Sequence, residues 1–162
     1  MTNIAQHAFN TQNKVTVLSD GSKLFSSDFD SKCKFDIHRF DQIKFLRKRI
    51  KSSFAQNFLN KNKIDIIFFD SWKSLELFNN TTDIKKICLA HGNEILKLRN
   101  KQRILNSLNK ADLIIYNSQF TKNKTFKNFK NLKKFNHKII YPAFIKKIIK
   151  NKNKKKKYDL CT

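Results

Sequence analysis

The sequence predicts an α/β fold, a Rossmann-like parallel sheet with flanking helices, and three observations carry that reading. First, Ile87-Cys88-Leu89-Ala90 breaks at His91-Gly92, Leu113-Ile114-Ile115-Tyr116 breaks at Asn117-Ser118, and a charged helical stretch lies between them. Two buried-type strands joined by a helix describe a parallel βαβ unit. Second, further short apolar runs of the same kind occur at Val15–Leu18, Ile64–Phe69 and His137–Tyr141. Third, Ile43, Leu46, Ile50, Phe54 and Phe58 recur at three-and-four spacing, the period of a helix that packs on a sheet. A chain of 162 residues, 40% hydrophobic, suffices for one domain with a core.

Taken in order, Thr2 to Asn13 reads as a short helix with Ile4, Ala5, Ala8 and Phe9 on one face. Val15-Thr16-Val17-Leu18 is a β-branched strand closed by the turn residues Ser19-Asp20-Gly21-Ser22. A sheet's first strand normally precedes such a helix, so the domain is expected to be incomplete at its start. Lys34 to Phe40 alternates as a weaker strand, with Phe35, Ile37 and Arg39 on one side. Asp41 is the expected cap of the next helix, whose Lys44, Arg47, Lys48 and Lys51 are expected on the outer face. Packing is the first reading of that helix, and lying on anionic lipid is the second. Ile64 to Phe69 is expected as the central strand, ending at Asp70-Ser71, with a helix over Trp72 to Phe78. After the βαβ unit, Thr121 to Phe135 reads as a helix with Phe126, Phe129 and Leu132 inward, followed by a strand stopped at Pro142. Residues 1–149 thus form the domain, the lysine-rich run 150–157 reads as a linker, and 158–162 as the opening of a second domain.

A formal charge of +23 predicts attraction to polyanions, either nucleic acid or the anionic face of a membrane, unless the lysines merely solvate the surface. Cys33, Cys88 and Cys161 are odd in number and far apart, which argues against a disulfide framework and for a reducing, cytoplasmic compartment. No His/Cys spacing suggests a metal site. The longest apolar run falls far short of the ~20 residues a spanning helix needs, so membrane contact would be peripheral.

Ligands of open α/β sheets bind beyond the carboxyl ends of the strands, which directs attention to the residues following them. His91 with Gly92 is the leading pair: a glycine permits close approach, and an imidazole can bond a sugar hydroxyl. A turn glycine beside a backbone-satisfied histidine is the alternative. Glu94 reads as a carboxylate favoured by a helix start. Asn117 and Ser118 either cap the next helix or face the same ligand. Asp70, Ser71 and Trp72 end another strand, where the indole either walls a sugar ring or belongs to the core. The dinucleotide, Walker, nucleophile-elbow and HExxH signatures are absent. Aromatics among lysines from Lys124 to Phe135 suit single-stranded nucleic acid, but their helical spacing favours a buried face.

The order of KVTVLSD, IDIIFFDSWKSLE, IKKICLAHGNEIL, LNKADLIIYNSQFTKN and HKIIYPAF resembles the amino-terminal, acceptor-side domain of GT-B glycosyltransferases, in particular family four. The matching positions are His91-Gly92, Ala111-Asp112 with Asn117-Ser118, and Tyr141-Pro142, with Asp70 where many relatives carry a histidine. The resemblance implies one half of a GT-B fold that transfers a sugar, usually with retention, from a nucleotide-sugar donor to a glycan or lipid-linked acceptor at the inner face of the membrane. It implies a catalytic role for His91, near the acceptor and the transferred sugar, with Asn117 and Ser118 nearby, while Gly92, Asp70 and Trp72 are substrate-binding candidates by their places at the strand ends. It also implies no metal and no cofactor beyond the nucleotide sugar, with the donor held by a further carboxy-terminal domain. The competing class is a non-catalytic basic module for anionic membrane, or less favourably for nucleic acid.

Overall fold

The computed structural model describes residues 2–22, 24, 27–76, 78, 83–96, 98–130, 132 and 136–142. The expected linker at 150–157 and the second-domain opening at 158–162 lie outside them, as does part of the helix expected up to Phe135. The elements alternate as predicted: α1 (Thr2–Asn10), β1 (Thr16–Asp20), α2 (Ser27–Asp30), β2 (Asp36–Phe40), α3 (Lys44–Lys61), β3 (Ile66–Phe69) and α4 (Trp72–Glu76). They continue with β4 (Lys85–Ala90), α5 (Gly92–Ile95), a single 3-10 turn, α6 (Lys101–Leu108), β5 (Leu113–Tyr116), α7 (Gln119–Asn128) and β6 (His137–Ile139). The fold is Rossmann-like α/β, and all its strand pairs are parallel.

The strands form two sheets, a pair β1-β2 and a four-stranded sheet in the order β3-β4-β5-β6. Among the described residues no strand pairs with the second edge of β1 or of β3. The Ile64–Phe69 run is therefore an edge strand rather than a central one, and Ile66 at its start is 54% exposed. Hydrophobicity alone suggested the centre, but pairing is decided by partners that the local sequence does not encode.

One face of the larger sheet carries the core. Register places Cys88 beside Ile114 and Ala90 beside Tyr116, all buried under Trp72 and Leu75 of α4 and Ile104 and Leu108 of α6. The opposite face presents Ile87, Leu89, Leu113 and Ile115, of which Leu89 and Leu113 are only half-buried. Asp112 clamps the start of β5 to β4. Its carboxylate accepts from the Lys86 backbone N–H at 2.7 Å, and its own N–H donates to the Lys86 carbonyl at 2.9 Å. The Ala-Asp step before the second strand thus has a local structural purpose.

In the smaller sheet Arg39 forks onto Asp30 of α2, at 3.0 Å from Nε and 2.7 Å from Nη2, which explains an arginine on the apolar side of β2. Gly21 closes β1 with φ +122, a conformation that suits glycine, and its N–H bonds the Phe40 carbonyl at 3.0 Å.

The long helix α3 bridges the two sheets and departs from its expected packing. Phe54 and Phe58 lie against His38 of β2, Phe54 also meets Phe40, and Leu59 reaches the core of the larger sheet. The helix nevertheless buries no residue fully, and Ile43, Leu46 and Ile50 are exposed. Arg47 and Lys51, expected outward, instead reach Asp20 at the end of β1 at 3.3 and 3.0 Å. Nor does Asp41 cap the helix: Ile43 occupies the N-cap position, without a side-chain bond.

Candidate functional site

Parallel pairing brings the carboxyl ends of β3, β4 and β5 to one edge. Ala90 pairs with Tyr116 and Tyr116 with Ile139, so His91 and Asn117 leave neighbouring strands at the same level, about 5 Å apart along the edge. Phe69 pairs with Cys88, so β3 stops two residues short of Ala90 and Asp70 emerges beside Leu89. The edge thus gathers Asp70-Ser71, His91-Gly92 and Asn117-Ser118.

His91 occupies the N-cap position of α5 in extended conformation, without a side-chain cap bond, and is exposed. Its imidazole is a donor and acceptor at the mouth of the edge. Gly92 serves the fold directly. A Cβ there would lie 3.2 Å from the Thr121 hydroxyl oxygen, a tight contact, so the turn after β4 approaches α7 most closely without a side chain.

Thr121 is the residue that sequence reasoning passed over. It is 3% exposed; its N–H donates to the Ser118 hydroxyl at 3.1 Å, and its own hydroxyl donates to Asn117 Oδ1 at 2.9 Å. Ser118 is therefore the N-cap of α7, and Asn117 is anchored by Thr121. The three-residue interval between a capping serine and its target N–H was the available signal.

Asp70 is exposed and its Oδ1 accepts from the Ser74 hydroxyl at 2.6 Å. Of the two roles expected for Trp72, sugar-ring wall or core, the structure shows the second. At 2% exposure it lies in the core, and its indole N–H donates to the Glu94 carbonyl at 3.3 Å, leaving no open face for a ligand. Glu94, in the first turn of α5, pairs through Oε1 with Lys73 at 2.9 Å, a half-exposed ion pair of small energetic weight. Cys88 lies directly beneath the edge; burial, then the charges of Asp70 and Glu94, push its thiol up to about 12. It stays protonated at neutral pH and is no nucleophile.

Among the described residues no group of three His, Cys, Asp or Glu side chains is placed to hold a metal ion. The surface depression lined by Lys101, Leu105, Lys127 and Phe129 shares no residue with the strand ends. The edge itself is open, and it offers an imidazole, a carboxylate and hydroxyls, chemistry suited to orienting hydroxyl groups. Comparison with family models, with curated proteins and with solved structures finds no match for the chain. Among the described residues no helix is long and apolar enough to cross a membrane.

Proposed function

We propose that this chain is the acceptor-side domain of a family-four-like GT-B glycosyltransferase, which transfers a sugar from a nucleotide-sugar donor to a glycan or lipid-linked acceptor. The observation that carries the reading is the exposed His91 at the carboxyl end of β4, level with Asn117 and flanked by Asp70. In this reading His91 orients the acceptor hydroxyl and the transferred sugar, while Asp70 and the Asn117-Ser118 turn supply the surrounding polar contacts. Gly92 and Thr121 hold the His91 turn against α7, so they position rather than touch substrate. The donor is bound by a second domain facing this edge, and Phe120 and Tyr141, 67% and 65% exposed near the ends of β5 and β6, suit such a contact.

The test is sugar transfer from labelled nucleotide sugars by this chain together with its donor-binding domain. Replacing His91 with Ala is expected to lower turnover roughly tenfold or more, with unfolding unchanged. Unchanged turnover removes His91 from the mechanism. Salt-sensitive polyanion binding without any donor-dependent turnover favours the basic-module reading instead.

A further inference from the structure

We infer that the depression between α6 and the end of α7 is a binding site for a compact, multiply phosphorylated small molecule. The argument stands apart from sugar transfer, because none of the strand-end residues takes part. Lys101 and Leu105 of α6 and Lys127, Asn128, Phe129 and Lys130 around the carboxyl end of α7 line a hollow of about 280 Å³. That is near the small end of the roughly 300–1,000 Å³ over which ligand pockets range.

Three lysines share this hollow, and the surrounding chain does little to neutralise them. Neither α6 nor α7 contains an Asp or Glu, and Asp112 is the one acidic residue between Glu94 and Asp159. Asp112 is engaged with Lys86 at the start of β5, and Glu76, which reaches α6, is engaged with Arg103. Lys101, Lys127 and Lys130 are exposed, and none of them meets a carboxylate among the described residues. Like charges around a concave surface raise the local potential, and an anion that enters relieves their repulsion.

The lining selects the kind of anion. Leu105 is half-buried and Phe129 is 2% exposed, so the apolar part is a closed floor. It offers no open ring face on which a base could stack, which disfavours a single strand of nucleic acid. Lysines bind phosphate as point charges, without the fixed fork of arginine, and the Asn128 amide adds a further donor. Two or three adjacent phosphoryl groups carry enough charge to meet all three lysines within so small a space. A single monoanion does not.

The test is calorimetric titration of the full chain with inorganic tripolyphosphate, and with orthophosphate for comparison. One molecule of tripolyphosphate should bind per chain, more tightly than orthophosphate, and the affinity should fall as salt rises. The triple substitution Lys101→Gln, Lys127→Gln, Lys130→Gln is expected to weaken binding by about tenfold or more, with an unchanged melting curve. A second triple variant, Lys14→Gln, Lys34→Gln, Lys63→Gln, removes the same charge from exposed positions outside the hollow and should change affinity by less than about threefold. Equal weakening in both variants would overturn the inference, since binding would then come from diffuse positive charge. Absence of a saturable site for tripolyphosphate would overturn it as well. So would a single-stranded oligonucleotide that binds more tightly than tripolyphosphate and depends on the same three lysines.

Discussion

Replacing Gly92 with Ala sets two effects of opposite sign against each other. The turn imposes no positive φ at Gly92, so the added methyl should stabilise by about 0.4–1 kcal/mol through the unfolded chain. Against this, the new Cβ would sit 3.2 Å from the Thr121 hydroxyl oxygen, which is held by Asn117 and Ser118 and cannot turn aside cheaply. Overpacking of such a fixed group costs about 1–3 kcal/mol, so the net expectation is a loss of about 0.5–2 kcal/mol. Urea unfolding followed by the fluorescence of Trp72, the only tryptophan, measures it. The decisive comparison repeats the substitution in a Thr121→Ala background, where the obstacle is gone and Gly92→Ala should become neutral or stabilising. Equal destabilisation in both backgrounds would refute the claim that Thr121 dictates the glycine.

Ser118→Ala removes the cap of α7 and should cost about 1 kcal/mol in the same unfolding assay, with Ser118→Asp recovering most of it. Glu76 accepts both arms of the Arg103 guanidinium at 2.7 and 2.8 Å, and that bond first, then the nearby positive charges, hold its carboxyl below the ordinary range. A depressed folded value means stability that is present above the unfolded value of about 4.3 and lost as pH falls through the folded one. Glu76→Gln should therefore flatten part of the acid limb of the stability curve, and an identical limb in both proteins would count against the pairing. The Tyr116 hydroxyl is buried without a hydrogen-bond partner among the described residues, so Tyr116→Phe should leave melting unchanged or raise stability by about 1 kcal/mol. A loss of more than about 1 kcal/mol would mean that the hydroxyl is bonded after all.

Much of this architecture is legible in the sequence because it rests on short-range chemistry. The strands at Lys85–Ala90 and Leu113–Tyr116 announce themselves by apolar runs, and Ser118 by its place before a helix. The strand-end row followed from the same breaks. What depended on distant neighbours was not legible. The spacing of Ile43, Leu46 and Ile50 marks a helix but cannot say whether a neighbour covers that flank, and none among the described residues does. Ile64–Phe69 is apolar enough for a central strand, yet only long-range pairing reveals it as an edge. Trp72 beside a strand end suits a binding wall equally well until Leu75, Ile104 and their neighbours bury it. Thr121 went unnoticed because its importance comes from Gly92, far away along the chain.

The order β3-β4-β5-β6 repeats the order of the chain, and this bears on how the molecule assembles. Each of these strands finds its partner one crossover away, so the larger sheet closes the shortest loops that parallel pairing allows. The pair β1-β2 is too small a sheet to persist alone, and α3, which packs on β2, has no fully buried residue. Its amides therefore open to solvent exchange at lower free energy than those of β4 and β5. Trp72 lies in the core of the larger sheet, so its fluorescence should follow that unit rather than the first sixty residues.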